Sequence, residues 1–129
     1  MKNGVFTIMS QTDFEQKRKY YRLRYPKQER PVLRVKDQYY HICEVSEKGI
    51  RVLMANVASL YRGLSMAGTL RLNANTHIPV EGSLLRFDKN EVIFQLSKGP
   101  SLKNMVEEQR HIRKKYPTFF AKQRPIAAA

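Results

Sequence analysis

The fold of this chain is decided by residues 38–54, which read QYYHICEVSEKGIRVLM. Two short runs of aromatic and β-branched residues, 38–45 and 49–54, flank the polar turn 46–48. Side chains of these types fit the pleated, half-buried surface of a sheet, and a polar turn between two such runs is typical of a hairpin. The stretch therefore predicts two adjacent strands joined by a tight turn.

Similar short runs of apolar and β-branched residues occur on both sides of this hairpin. We expect further strands at 31–35, 66–72, 76–87 and 91–96, with a tight turn at 88–90. Pro79 and Gly82 interrupt the long run and predict a bend or a bulge there. About six strands at this spacing predict an antiparallel barrel or sandwich.

One helix is expected after the last strand. A Gly-Pro pair ends that strand, and Ser101 has the side chain of an N-cap residue. The next apolar residues recur at helical spacing and form a stripe that we expect to pack against the barrel: Leu102, Met105, Val106, Ile112 and Tyr116. We expect Glu107 and Glu108 to be solvated, because neighbouring helix residues point to different sides. Pro117 ends the helix, and residues 117–129 are expected to form a flexible tail.

The composition restricts the class of protein. A chain of 129 residues has the size of one domain. Its 24 Lys and Arg against 11 Asp and Glu give a net charge of +13, which favours anionic partners such as nucleotides, nucleic acid, lipid headgroups or acidic protein surfaces. The single cysteine, Cys43, excludes an internal disulfide and a Cys-based metal site, and it fits a reducing, cytoplasmic setting. No stretch approaches the length of a membrane span.

The N-terminal segment is strongly basic. Residues 11–30 read QTDFEQKRKYYRLRYPKQER and lack a clean helical or strand period. Because an unpaired buried charge is very costly, we expect an exposed arm, helical near 12–19 and stiffened at Pro26. Residues 1–14 are expected to be a flexible extension, within which Met9 offers a second start.

Two groups of residues carry the chemistry. Arg18 and Arg22 in the arm are spaced as RxxxR, and an arginine fork matches two phosphate oxygens or the O6 and N7 atoms of guanine. At the hairpin turn, the carboxylate of Glu44 can accept hydrogen bonds from the donor edge of guanine. Ser46 offers a small hydroxyl, and Gly49 permits an unusual backbone angle and a close ligand approach. Taken alone, each group also fits a solvated charge cluster or a simple turn.

Together, at this spacing, the two groups resemble the PilZ family, which is marked by RxxxR in an N-terminal arm and (D/N)xSxxG on a barrel. The text KRKYYRLRYP at 17–26 and HICEVSEKGIRV at 41–52 carries the resemblance, which covers residues 15–116. It implies one mainly β domain, a six-stranded antiparallel PilZ-type barrel with a C-terminal α-helix and a flexible basic arm. It further implies a bacterial, cytoplasmic receptor for the second messenger cyclic di-GMP, with no cofactor and no metal.

The resemblance also assigns the ligand-binding residues. It implies that Arg18 and Arg22 clasp phosphates and a guanine, and that Ser46 and Gly49 contact the ligand from the barrel. Lys17 stands where many relatives carry another arginine; it keeps the charge but loses the fork, so one ligand or a stacked pair stays open. Glu44 stands where the family has Asp or Asn, with its carboxylate one methylene further out, and we expect it to read the guanine.

We expect a ligand switch in which the arm is mobile without ligand and folds over the barrel with it, changing the surface offered to an unidentified effector protein. A monomer or weak homodimer is expected, and catalysis is not, because the sequence has no Gly-rich phosphate loop and no nucleophile with a base. Two alternatives stay open. One is a PilZ-fold adaptor that has lost the ligand through Glu44, and the other is a small basic barrel whose Tyr20, Tyr21 and Tyr25 stack on nucleic acid.

Replacing either arginine tests this assignment. Arg18→Ala or Arg22→Ala should cost roughly 2–5 kcal/mol of affinity for cyclic di-GMP, because each removes one partner of a desolvated charge pair. Isothermal titration calorimetry measures this loss, and unchanged affinity in either variant contradicts the assignment.

Overall fold

The computed structural model describes residues 20–72 and 75–122, with the side chains of 120–122 excepted. The predicted extension 1–14 and the helix expected near 12–19 lie outside the described residues, as do Lys17 and Arg18. The last seven residues, 123–129, lie outside them as well.

Seven strands form one antiparallel sheet: β1 (Leu23–Arg24), β2 (Val32–Val35), β3 (Gln38–Val45), β4 (Gly49–Leu53), β5 (Ser65–Arg71), β6 (His77–Asp88) and β7 (Glu91–Lys98). Neighbouring strands follow the order β3-β2-β5-β6-β7-β4, and β4 pairs back with β3. These pairings close a six-stranded barrel, and β1 lies beside β2 on the same edge of β3. The predicted six-stranded antiparallel barrel is therefore confirmed, with β1 as an additional short strand.

Strand register separates the interior of the barrel from its outer face. Val45 pairs with Ile50, Ile50 with Phe94, and Phe94 with Leu84, across β3, β4, β7 and β6. All four side chains are at most 3% exposed and belong to the core. Since successive strand residues point to opposite faces, the next row of pairs faces outward.

The long strand β6 contains the predicted irregularity. Its register with β7 shifts between Glu81, which pairs with Lys98, and Gly82, which pairs with Leu96, so the extra residue of this bulge, Ser97, lies in β7. Pro79 stays in the regular ladder with β5. A Cβ atom at Gly82 would collide with the carbonyl oxygen of Gln95. Only glycine therefore allows the two backbones to approach this closely.

The predicted exposed arm is wrong for its second half. Leu23 is 0% exposed and Tyr25 is 3% exposed. The two arginines that alternate with them, Arg22 and Arg24, are exposed to solvent. Leu23 pairs with Val45, so the segment is held to the barrel by backbone hydrogen bonds and by buried side chains. Residues 22–25 read RLRY, and this alternation of charged and apolar residues is typical of a strand. The many charges around it favoured an exposed arm instead.

Helix α1 (Leu102–Lys115) begins at the predicted N-cap. The Ser101 Oγ accepts from the Asn104 N–H at 3.1 Å, and the Asn104 Oδ1 accepts from the Ser101 N–H at 2.9 Å. This capping box satisfies two backbone donors at the helix start. None of the helices within the described residues is long and apolar enough to cross a membrane.

The buried face of α1 differs from the predicted stripe. Met105 and Ile112 are buried as expected, but Leu102 is 63% exposed and Val106 is 40% exposed. Glu108, expected in solvent, is only 1% exposed and accepts a hydrogen bond from the Tyr25 hydroxyl at 2.9 Å. Burial and then the charge of Glu108 raise the pKa of Tyr25 well above its usual value, so the phenol stays a donor.

A second polar contact holds the C-terminal end of α1. Glu29 Oε2 lies 3.0 Å from His111 Nε2, and Glu29 Oε1 accepts from Lys115 Nζ at 3.2 Å and from the Tyr116 hydroxyl at 3.0 Å. Pro117 ends α1 as predicted, but it begins the short helix α2 (Pro117–Lys122) where a flexible tail was expected. Proline suits this first helical position because it needs no N–H partner there.

The Gly82 bulge predicts a stability effect. Gly82→Ala should lower the free energy of unfolding by about 1–3 kcal/mol, because the added methyl forces the Gln95 backbone to move. Urea denaturation measures this, with Ser83→Ala on the same strand as the control. Equal stability of the two variants would show that the bulge tolerates a Cβ atom.

The Glu29 contacts predict a pH dependence. Hydrogen bonds from His111, then Tyr116 and Lys115, lower the pKa of Glu29, against the opposing effect of its desolvation. The resulting stabilisation is present above the unfolded pKa near 4.5 and is lost as the pH falls through the lower folded pKa. Glu29→Gln should therefore destabilise the protein at pH 7 and much less at pH 3, as measured by urea denaturation. An equal effect at both pH values contradicts this role.

Candidate functional site

An open groove of about 410 Å³ crosses the outer face of β3, β4, β7 and β6 at the turn between β3 and β4. Its floor is the outward row of cross-strand pairs, in which Glu44 pairs with Arg51, Arg51 with Ile93, and Ile93 with Arg86. Tyr20 and Arg22, just before β1, also line the groove. The barrel register thus brings the arm, the hairpin and β6 to one concave surface.

Four of the predicted ligand-binding residues meet here: Arg22, Glu44, Ser46 and Gly49. The other two, Lys17 and Arg18, lie outside the described residues. Sequence reasoning missed Lys48 and Arg86, which also line the groove, and assigned no role to Arg51. Lys48 lies within the predicted turn and could have been included. Arg86 could not, because only the β6–β7 register brings it to the hairpin.

Ser46 shapes the turn between β3 and β4. Its N–H donates to the Gly49 carbonyl at 2.9 Å, and its hydroxyl donates to the same oxygen at 3.3 Å. The hydroxyl oxygen also accepts from the Lys48 N–H at 3.3 Å. The Ser46 side chain therefore holds the turn closed at the edge of the groove, and its contact with a ligand stays a prediction.

Gly49 does not need the unusual backbone angle expected from the sequence. Among the described glycines, the left-handed region is occupied by Gly63 at φ 88°, and Gly49 is outside that region. A Cβ atom at Gly49 would lie 3.4 Å from the Phe94 carbonyl oxygen and 3.7 Å from the Ser46 Oγ, which is close but tolerable. The expectation of an unusual backbone angle at Gly49 was therefore wrong. Its second expected role, to allow a ligand to approach closely, stays a prediction.

Glu44 is engaged by two arginines. Its Oε1 lies 3.2 Å from the Arg24 Nη1, and its Oε2 lies 3.8 Å from the Arg51 Nε. The Glu44 side chain is 17% exposed, so these pairs are only partly screened by water. Each carboxylate oxygen thus has a cationic neighbour, and the two arginines restrict the orientation of the Glu44 side chain.

Arg51 is the centre of this ion-pair network. Its Nη1 lies 3.0 Å from Asp88 Oδ2 and 2.9 Å from Glu91 Oε1, and Glu91 also lies 3.6 Å from Arg24. The hydrogen bond from Arg51 lowers the pKa of Asp88. The charge of Arg51 is therefore matched by protein carboxylates.

Three other cations of the groove remain available to an anion. Arg22, Lys48 and Arg86 line it, and their side chains make no ion pair within 4.0 Å across residues 20–72 and 75–122. Between them lie apolar side chains, including Ile93, which is 8% exposed. Cations beside an apolar patch suit a ligand that combines phosphates with flat bases.

The three arm tyrosines do not share one surface. Tyr20 lines the groove, but Tyr25 is buried against Glu108. Tyr21 is half-buried; this burial raises its pKa, while a hydrogen bond with Gln109 of α1 acts in the opposite direction. A ladder of stacked bases on all three is therefore not available, which weakens the nucleic-acid alternative. In the described part of the chain, no group of three or more His, Cys, Asp and Glu residues could hold a metal ion.

Comparison with known proteins identifies the architecture. Neither a protein-family model nor a curated protein sequence matches the chain. Among solved structures, the PilZ domain of Escherichia coli YcgR with c-di-GMP matches with a TM-score of 0.64 and 17% identity over 80% of this chain and 99% of that domain.

The Bacillus subtilis inhibitor of motility, MotI/DgrA, matches with a TM-score of 0.61 and 19% identity over 80% of this chain. This chain spans about half of that protein, 53% of its length. The chain described here has a PilZ-type fold.

Proposed function

We propose that this protein is a PilZ-type receptor that binds cyclic di-GMP in the groove and acts on a protein partner rather than catalysing a reaction. The observation that carries the proposal is the meeting of Arg22, Glu44, Ser46 and Gly49 around one basic groove on a barrel of this fold. The neighbouring YcgR domain was solved with c-di-GMP, and MotI is named an inhibitor of motility. Both names suit a receptor or adaptor.

The groove has the chemistry that a cyclic dinucleotide requires. Its two phosphates are anions, and two cations line the groove without a carboxylate partner among the described residues: Arg22 before β1 and Lys48 in the β3–β4 turn. Its guanines are flat and need an apolar surface, which Leu85 and Ile93 line. Charge and shape therefore favour a nucleotide over a simple anion.

Glu44 can still read a guanine while paired with Arg24 and Arg51. An ionised carboxylate has about four lone-pair sites, and one arginine at each oxygen leaves capacity for the N1–H and 2-amino donors of guanine. The two arginines also restrict the longer side chain, which offsets the extra freedom of its added methylene. We therefore propose that Glu44 replaces the Asp or Asn of the family in this role.

The segment that carries Arg22 also contacts helix α1, which suggests how binding changes the surface. Tyr21 interacts with Gln109 and Tyr25 with Glu108, so residues on both sides of Arg22 hold the helix. A ligand that draws Arg22 into the groove shifts the tyrosine that precedes it. We propose that α1 responds to the ligand and presents the changed surface to the effector protein.

One observation favours a second function, that of an adaptor without ligand. Both oxygens of Glu44 already have arginine neighbours, so a guanine must share them. This alternative predicts a stable protein partner and no nucleotide binding.

Calorimetric titration with cyclic di-GMP at 50 mM and 300 mM salt separates the proposals, with an RNA oligomer titrated in parallel. A receptor should give saturable binding that survives the higher salt, because guanine contacts add to the phosphate contacts. Loss of all binding at the higher salt, with RNA bound as well, indicates a nucleic-acid protein. If cyclic di-GMP gives no heat of binding at either salt concentration, the result supports the adaptor that binds no ligand.

The role of Glu44 has its own test. Glu44→Gln should weaken cyclic di-GMP binding about tenfold or more, since it removes a charged acceptor and presents an amide donor to the donor edge of guanine. Glu81→Gln, on an exposed part of β6, is the matched control because it changes the net charge equally. Equal affinities of the two variants would exclude Glu44 from the contact.

A further inference from the structure

A second bulge in β6, between Leu84 and Arg86, allows two consecutive residues to face the groove. In a regular strand one of them would point to the other face of the sheet. Successive strand residues point to opposite faces, yet Leu85 and Arg86 both line the groove. The β6–β7 register shifts between Leu84 and Arg86, while Leu84 stays in the core at 2% exposed. The inserted residue therefore allows two neighbours to face the same side.

Arg86 and Arg51 flank Ile93 in the same outward row but differ in their electrostatic surroundings. Arg51 is 17% exposed and pairs with three carboxylates. Arg86 is exposed, and no carboxylate of the described residues lies within ion-pair distance of it. Asp88, two residues later in the same strand, forms its ion pair with Arg51, and the charge of Arg86 acts on it only from beyond ion-pair distance. The fork of Arg86 is therefore available for an anionic or aromatic ligand.

Arg86 lies at the opposite end of the groove from the arm. The strands follow the order β1-β3-β4-β7-β6, and Arg22 directly precedes β1. Four strand spacings separate β1 from β6, roughly 19 Å along the curved surface. Cations therefore stand at both ends of the groove, with the apolar side chain of Ile93 between them.

We propose that Arg86 grips the nucleotide unit of the ligand that is remote from the arm, while Arg22 grips the near unit. Its guanidinium can pair with the remote phosphate or lie on the face of a guanine that rests on Leu85 and Ile93. The inference rests on the proposed binding of cyclic di-GMP. It adds a barrel residue, from outside both sequence motifs, that secures the ligand independently of the arm.

Titration of the full chain with cyclic di-GMP tests the role of Arg86. Arg86→Ala should weaken binding by at least about tenfold, and Arg86→Gln, which keeps most of the aliphatic stem, should do the same. Arg86→Lys should fall between these variants and the unchanged protein, because it keeps the charge and loses the fork. Arg71→Ala, an exposed strand arginine outside the groove, is the matched control for net charge and should change affinity less than about twofold.

The outcomes separate this inference from the proposed function. If Arg22→Ala abolishes binding while Arg86→Ala and Arg86→Gln behave like Arg71→Ala, the receptor stands and the role of Arg86 is overturned. If the unchanged protein does not bind cyclic di-GMP, both are overturned. Urea denaturation of each variant identifies any loss of affinity that comes from unfolding. If Arg86→Ala and Arg86→Gln unfold, Arg86→Lys tests the inference. It must bind cyclic di-GMP more weakly than the unchanged protein if the guanidinium fork contacts the ligand, and equal affinity overturns the role of Arg86.

Discussion

The pairing of Glu44 with Arg51 across β3 and β4 is the constraint on which the site depends. It fixes the register of the hairpin, and because side chains alternate along a strand, it assigns Val45 and Ile50 to the core. A slip of one residue would exchange these two sets and bury the charges, at a cost far above the stability of an ordinary domain. The same register continues through β7 to β6 and sets which side chains form the groove floor.

The electrostatics of the groove follow from this arrangement. Three carboxylates lie beside Arg24 and Arg51, and two of them, Glu44 and Glu91, contact both arginines. The middle of the groove is therefore nearly neutral, whereas Lys48 and Arg86 lie around it without an ion-pair partner among the described residues. A protein with a large positive charge can therefore still bind selectively. Its matched charges order the middle of the groove, and Lys48 and Arg86, which form no ion pair with the described residues, lie beside it.

The groove and helix α1 are connected through the short segment before and within β1. Arg22 faces the groove while Tyr25, three residues later, is buried with its hydroxyl on Glu108 of α1. A buried carboxylate is expensive unless it is hydrogen-bonded, so this contact restricts how the helix can lie on the barrel. Movement of the arm and movement of the helix are therefore expected to be linked, which suits a protein that converts binding into a change of surface.

Local pattern was enough for the six barrel strands, the tight turns and the Ser101 cap, because each of these depends on neighbours close in sequence. It did not predict β1, and the ligand contacts of the four motif residues in the groove stay a prediction. It was not enough for Leu23 and Glu108, whose charged surroundings predicted exposure, nor for Gly49, whose backbone is ordinary. Burial of Glu108 depends on Tyr25, 83 residues away, and the position of Arg86 depends on a bulge in a strand paired with β7. Composition and short-range periodicity thus specified a basic antiparallel β domain, either a barrel or a sandwich. The resemblance to the PilZ family supplied the barrel and the nucleotide motif. The closure of the barrel decided which charges are matched and which face the groove, because strand register alone brings residues so distant in sequence into contact.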